Sequence, residues 1–124
     1  MVSSTTSALS DFPLLHSDGR DQKFASVAVA ADATGALVAA VTGCKIRVLA
    51  VLLNQIASST STVQFKSAST ALTGVITVKV NDLYLALPFN PAGWMETASG
   101  EALNLTTVAQ AAGGCLVYEE VIAD

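Results

Sequence analysis

Few side chains in this sequence have the types and spacing that catalysis requires. The single histidine, His16, stands beside Ser17 and Asp18, which are the residue types of a nucleophilic triad. A triad also needs a nucleophile held on a tight turn, and the sequence contains no G-x-S-x-G motif. We therefore expect His16 to be solvated or to help dock the N-terminal segment, and we predict no catalytic residue.

A metal site is a second possibility that the residue types raise. The N-terminal part of the chain contains four potential ligands: Asp11, His16, Asp18 and Asp21. Their spacing matches no calcium-binding loop. The sequence also contains neither a phosphate-binding loop nor a dinucleotide fingerprint. We predict no metal, no cofactor and no enzymatic activity.

Paired carboxylates are the remaining route to acid–base chemistry. Glu119 and Glu120 are adjacent, so on a strand they point to opposite sides and do not converge. Glu96 and Glu101 flank one loop and could approach each other. Solvating that loop or capping a turn is the simpler role for both, and we favour it.

The composition points instead to assembly. Hydrophobic residues make up 52% of the 124 residues and charged residues only 13%, about half the usual charged fraction. A folded chain of this mass exposes roughly 6,000 Å² to solvent. Small polar residues must cover part of that surface, and we expect the rest to be buried against other chains.

Charge and hydropathy argue against two classes of partner. The net charge is −4, and the six basic residues are scattered except for Lys45 and Arg47, so the basic stripe of a nucleic-acid-binding protein is missing. The longest strongly apolar run, residues 48–53, is much shorter than the roughly 20 residues that span a bilayer. Residues 1–15 lack the basic and apolar regions of a secretory signal. We expect neither nucleic acid nor a membrane as a partner.

The two cysteines, Cys44 and Cys115, are too far apart in sequence for a local metal knuckle. A bond between them could stabilise the fold by up to roughly 4 kcal/mol. Because no secretion signal is evident, we favour two unpaired and mostly buried thiols. A disulfide remains the alternative.

Turn residues divide the chain into about eight short apolar segments with no long helical periodicity. Residues 35–41 also suit a short helix because of their alanines, although the flanking glycines favour strand or loop. Asn81-Asp82 is expected to form a tight turn between two strands. The expected strands are residues 24–31, 35–41, 44–56, 62–67, 75–80, 83–87, 101–108 and 115–122. This spacing predicts an all-β protein, an antiparallel, jelly-roll-like β-sandwich formed by residues 22–124 as a single domain, with residues 1–21 as an extended N-terminal arm.

The longest of these segments, residues 44–56, is apolar on both faces. Strict alternation places Ile46, Val48, Ala50 and Leu52 on one face and Arg47, Leu49, Val51 and Leu53 on the other. One face would serve the core, and we expect the face with Leu49, Val51 and Leu53 to serve a partner or a covering arm.

Two further segments could contribute to an interface. The loop of residues 88–100 holds the only tryptophan, whose aromatic ring and neighbours either plug an open end of the sandwich or contact another subunit. The arm carries an apolar cluster around Pro13. The candidate interface residues are Phe12, Leu14, Leu15, Leu49, Val51, Leu53, Phe89, Trp94 and Met95.

Specific stretches of the sequence resemble a family of small virion proteins of tailed bacteriophages. They are residues 63–67 (VQFKS) with 70–74 (TALTG), and residues 87–94 (LPFNPAGW) with 96–105 (ETASGEALNL). The likeness runs from about Asp18 to the C-terminus and is most specific in the Pro/Trp loop. Where the family pattern would place glycines, this chain has Ala68 and Asn81-Asp82.

The resemblance implies a structural protein of a tailed bacteriophage. Within that group, small jelly-roll decoration (cement) proteins sit as trimers on the capsid surface and lock neighbouring capsomers. The implied partners are other copies of this chain, in a homotrimer, and the major capsid protein. The implied location is the virion, assembled in the cytoplasm of the bacterial host. A tail-fibre or receptor-binding (adhesin) module is the alternative, although such modules usually follow a fibrous shaft that this sequence does not show.

Overall fold

The fold is built from short antiparallel strands joined by turns. The computed structural model describes residues 22–57, 60–78 and 81–122, so the predicted arm, residues 1–21, lies outside the described residues. These described residues form ten strands: β1 (Lys23–Val29), β2 (Thr34–Val38), β3 (Cys44–Ala57), β4 (Ser61–Ser67), β5 (Thr70–Ala71), β6 (Ile76–Val78), β7 (Asn81–Leu87), β8 (Met95–Glu96), β9 (Leu103–Val108) and β10 (Ala112–Ile122). The described part of the chain contains no helix. The all-β prediction is confirmed.

The strands form two five-stranded sheets. In sheet A the order is β1-β10-β3-β7, with β8 also paired to β3. In sheet B the order is β2-β9-β4-β5, with β6 also paired to β4. Among the eight longer strands, the first pairs with the last, the second with the second-last, and so on inwards. This nested antiparallel pairing is a jelly-roll-like sandwich, as predicted.

The core lies between the two sheets and is filled by side chains that alternate along each strand. Phe65 of β4 and Leu103 and Leu105 of β9 project from sheet B and are completely buried. They meet Ile46 and Leu53 of β3 in sheet A, which are equally buried. This packing of two inner faces is the main source of stability for a sandwich of this size.

One β-bulge in β3 changes which residues of that strand face the core. Ala50 pairs with Val117 and Val48 pairs with Tyr118, the next residue of β10, so Leu49 is the extra residue. Before the bulge the core residues are Ile46 and Val48, and after it they are Val51 and Leu53. Strict alternation therefore predicted the wrong face for everything beyond residue 49, because a bulge shifts the two-residue period by one.

One other local expectation is also corrected. Asn81 and Asp82 begin β7 rather than forming a tight turn. The strands on either side of residues 79–80 belong to different sheets, since β6 pairs with β4 and β7 with β3. Ala68, where the family pattern would place glycine, has a φ of 51°, a left-handed conformation that favours glycine.

Candidate protein-binding surface

The loop of residues 88–100 is held firmly against β3. Where β7 ends, at Leu87, the loop takes over as the neighbour of β3. Four backbone amides of the loop donate to β3 carbonyls: Asn90 to Leu49 (2.9 Å), Trp94 to Val48 (2.7 Å), Thr97 to Ile46 (3.0 Å) and Gly100 to Cys44 (2.9 Å). The buried Thr97 hydroxyl also accepts from the Ile46 amide at 2.9 Å. The loop is therefore a pre-organised continuation of sheet A.

A cluster of charged side chains fastens the same loop from the outer side of the sheet. Arg47 Nε donates to Glu96 Oε2 at 2.6 Å, and Arg47 donates through a second guanidinium nitrogen to Glu119 Oε2 at 3.2 Å. The Glu119 side chain is only 6% exposed, whereas that of Lys45, 3.9 Å from Glu96, is 42% exposed. Arg47 thus joins β3, β8 and β10 through two carboxylates, and Lys45 adds a weak, solvated contact.

The aromatic side chains of this loop project into solvent. Phe89 is 53% exposed and Trp94 43% exposed, so neither plugs the end of the sandwich. The Trp94 indole nitrogen donates to the Pro88 carbonyl at 2.8 Å, which fixes the ring relative to the loop. Met95 is the side chain of the loop that packs against the core. The plug interpretation is therefore wrong for the two aromatic residues.

Beside the loop, the outer face of sheet A carries a shallow apolar groove. One row of paired residues crosses the sheet as Phe24, Val117 and Ala50, and a parallel row as Cys115, Leu52 and Ala86. Leu52 is 39% exposed, and the Cys115 side chain is also exposed. The residues that line the apolar groove are Ala50, Val51, Leu52, Ala86, Leu87, Pro88, Cys115, Leu116 and Val117. The groove has no polar side chain to orient a small ligand, so it suits apolar protein side chains better.

The outer face of sheet B has the opposite character. Its rows pair Thr34 with Thr106 and Gln64, and Asn104 with Lys66. The hydroxyls of Thr34 and Thr106 are 2.8 Å apart and form a hydrogen bond. The outer face of sheet B is therefore hydrophilic, whereas the outer face of sheet A carries the apolar groove.

The predicted interface residues have separate positions in this structure. Leu49, Val51 and Leu53 are at most 3% exposed, so the expectation that they form an open contact surface is wrong. The bulge turns Val51 and Leu53 toward the core. Phe89 and Trp94 are both exposed on the loop, and Phe12, Leu14 and Leu15 lie outside the described residues. Sequence reasoning missed Leu52, Cys115 and Val117. The available signal was that β3 is apolar on both faces. The bulge exchanged the inward-facing and the outward-facing residues of β3 beyond residue 49, so alternation selected the wrong ones.

The side chains considered for chemistry have structural partners. Glu96 binds Arg47 on sheet A, whereas Glu101 Oε1 accepts from the Ser67 hydroxyl of sheet B at 2.5 Å. Among the described residues no group of three or more His, Cys, Asp or Glu side chains is placed to hold a metal ion. No helix in the described ranges is long and apolar enough to cross a membrane.

The two thiols are unpaired, as favoured from the sequence, but their expected burial is only partly correct. Cys44 is half-buried and Cys115 is exposed in the apolar groove. Cys115 is opposite Leu52 in the register, eight residues along β3 from Cys44. That separation is roughly 25 Å, far beyond the Cα distance of about 7 Å that a disulfide tolerates.

Comparison of the chain with protein-family models and with curated protein sequences finds no match.

Proposed function

We propose that this protein is a decoration (cement) protein of a tailed-bacteriophage head, which forms a homotrimer and stabilises the shell by bridging subunits of the major capsid protein. The observation that carries the proposal is the pair of exposed aromatic side chains, Phe89 and Trp94, on a loop fastened to β3. The apolar outer face of sheet A, the low charge of the chain and the resemblance of the Pro/Trp loop to phage virion proteins support it.

The physical basis is that rigid aromatic anchors bind at a low entropic cost. Side chains such as Trp94 contribute a large contact area with few rotatable bonds, and hot spots of protein interfaces are enriched in them. The hydrogen bonds that fasten the loop to β3 mean that little backbone entropy is lost on binding. A trimer would repeat each weak contact three times and so gain strength by multivalency.

Light scattering tests the oligomeric state. A homotrimer of the 12.6 kDa chain has a mass of about 38 kDa, and we expect that mass with and without reductant because the cysteines are unpaired. A monomer at all accessible concentrations would contradict the trimer.

Binding to capsid shells tests the function itself. The probe is the empty shell assembled from the major capsid protein of the same genome, with bound copies counted after sedimentation. The doubly substituted variant Phe89→Ser/Trp94→Ser is expected to bind at least tenfold more weakly. The matched control is Val75→Ser/Val108→Ser, which alters side chains that are 58% and 49% exposed away from the loop. Equal weakening by both variants would contradict a specific aromatic contact.

The same variants separate a decoration protein from an adhesin. An adhesin would use Trp94 to stack on a sugar of the host surface, so it would give a glycan-array signal that Trp94→Ser abolishes. Such a signal in a chain that does not bind shells would replace the proposal with the adhesin alternative.

A further inference from the structure

The outer face of sheet A has two halves, one formed by β1 and β10 and the other by β3 and β7. One row of paired residues crosses the boundary between them as Phe24, Val117 and Ala50. Phe24, 79% exposed, and Val117 are the bulky members of this row, and both lie in the β1–β10 half. Ala50, in the other half, is small. In this row the bulk therefore lies on the β1–β10 side of the boundary.

The next row reverses this order of sizes. From β1 to β7 its residues are Ser26, Cys115, Leu52 and Ala86. Its one bulky side chain, Leu52, lies in the β3–β7 half. When unlike halves of two copies meet with their rows aligned, Val117 lies opposite Ala50, and Leu52 lies opposite Cys115. Each bulky side chain then meets a small one, which is the condition for two layers to interdigitate.

The charged cluster is divided by the same boundary. Glu119 lies on β10 and Arg47 on β3, opposite each other in the register of one chain, and Glu96 of β8 lies beyond Arg47, farther from the boundary. Contact between unlike halves brings Glu119 of one copy toward Arg47 of the next. Contact between like halves would instead oppose two glutamates or two arginines. Like charges directly opposite each other are destabilising, so charge favours the same pairing of halves as side-chain size.

The area of this face matches what a folded partner needs. The apolar groove alone has a footprint on the order of 100 Å², whereas a standard protein interface buries about 800 Å² on each side. Four strand widths and the residues from 113 to 121 of β10 measure about 19 Å by 30 Å, or roughly 600 Å² in projection. Side-chain relief makes the accessible area larger than the projected one. The whole face therefore approaches the area of a stable interface.

We propose that the apolar groove is covered by a neighbouring copy of this chain, and that the β1–β10 half of each sheet A packs on the β3–β7 half of the next copy in the homotrimer. The three-fold axis runs along the strands, in front of the boundary between β10 and β3. Each copy offers one half to each neighbour, and a ring of such unlike contacts closes after three copies. This contact rests on the homotrimer of the proposed function, but not on attachment to a capsid.

Engineered disulfides test this contact, because Ser26 and Ala86 are exposed at opposite ends of one row. Within one chain three strand spacings, about 14 Å, separate them, about twice the Cα distance that a disulfide tolerates. Between neighbouring copies the two positions come opposite each other. In a Cys44→Ser/Cys115→Ser background, Ser26→Cys/Ala86→Cys should form disulfides between copies on oxidation. The expected product on a denaturing, non-reducing gel is a covalent trimer.

The matched control makes the same kind of change on sheet B. Ala36 and Ala71 are exposed at opposite ends of a row that also crosses four strands. In the same background, Ala36→Cys/Ala71→Cys should give at least tenfold less covalent product between copies. Light scattering of both reduced variants should give the mass of the trimer, which shows that the substitutions leave assembly intact.

The outcomes separate this contact from the proposed function. A trimer in which the sheet A pair links no better than the sheet B pair would overturn the contact and leave the proposed function standing. Covalent species that stop at the dimer would overturn the three-fold arrangement. A covalent trimer that does not bind capsid shells would support the contact and count only against the proposed function.

Discussion

At the scale of single residues, Gly114 is the glycine of sheet A at which the surrounding backbone leaves the least room for a side chain. Its φ is 146°, and a Cβ there would lie 1.9 Å from the Leu52 carbonyl oxygen. The two backbones must separate to admit a methyl group, and such strain costs several kcal/mol. We expect Gly114→Ala to lower the free energy of unfolding by about 3 kcal/mol or more, measured by urea denaturation.

The neighbouring Gly113 provides the control. A Cβ there would meet its nearest atom, the Val27 carbonyl oxygen, at an ordinary 3.7 Å. Gly113→Ala should change the free energy of unfolding by no more than about 1 kcal/mol, since the loss of glycine flexibility in the unfolded chain is slightly stabilising. Similar losses of unfolding free energy in both variants would show that the close approach of Gly114 to the Leu52 carbonyl does not determine the cost of Gly114→Ala.

Arg47 is the residue on which the charged cluster depends. Its guanidinium contacts both Glu96 and the buried Glu119, and its stem packs beneath Gly93, where an added Cβ would lie 2.5 Å from Arg47 Cγ. Arg47→Met removes the guanidinium from a carboxylate with little access to water. We expect the free energy of unfolding to fall by about 2 kcal/mol. The fluorescence of Trp94, the only tryptophan, should shift as the loop loosens.

Lys45→Met is the matched control for this prediction. It also removes one positive charge near Glu96, but from a contact of 3.9 Å at an exposed side chain. Its effect should be below about 0.5 kcal/mol, because exposed ion pairs contribute little. A loss equal to that of Arg47→Met would mean that net charge, rather than the buried contact, matters.

At the scale of elements, β3 organises both the core and the outer surface. The strand is bordered by β10 along one edge and by β7 and the 88–100 loop along the other. The bulge at Leu49 lies where the neighbour of β3 on this second edge changes from β7 to the loop. This is where the inner and outer faces exchange, so Ala50 and Leu52 lie in the groove instead of the core.

Two adjacent leucines of β3 test this exchange. Leu53 is completely buried, and Leu53→Ala should lower the free energy of unfolding by about 3 kcal/mol. Leu52 is 39% exposed, and Leu52→Ala should cost less than about 1 kcal/mol. Chemical denaturation of both variants measures the difference. The reverse order of the two losses would mean that the strand alternates without a bulge.

At the scale of the whole molecule, the two outer faces are chemically distinct. The outer face of sheet B carries mainly threonine, asparagine and glutamine side chains, whereas that of sheet A carries the apolar groove beside the charged cluster of Arg47. The described part of the chain therefore has one hydrated side and one side with surface available for protein contact. The low charge of the whole sequence agrees with association through apolar contacts.

This asymmetry predicts how association responds to salt. Raising sodium chloride from 0.1 to 1 M shortens the Debye length from about 10 to 3 Å and weakens ion pairs. Apolar contacts are not screened, so the dissociation constant of the proposed trimer should stay constant or decrease. Ammonium sulfate should decrease it further. Analytical ultracentrifugation measures both effects, and a tenfold weakening in sodium chloride would indicate that charge pairs hold the assembly.

The sequence by itself determined the fold class and the position of most strands. Regular turn residues and short alternating segments leave few arrangements other than an antiparallel sandwich, and each of the eight expected segments overlaps an observed strand. The distinctive character of the 88–100 loop was also visible in the sequence, since aromatic residues between prolines and glycines suit neither strand nor helix. The two-residue strands β5 and β8 were missed because so short a pairing has no periodicity of its own.

Only the tertiary structure decided which apolar residues face outward. A strand apolar on both sides carries no local signal for a bulge, because the bulge at Leu49 arises from pairing with β10, which is some 70 residues away in sequence. The same holds for the exposure of Phe89 and Trp94, the contact of Arg47 with Glu119, and the separation of Cys44 from Cys115. Each depends on register between distant strands. Side-chain type limits what a residue can do, but the pairing of strands determines where it does so.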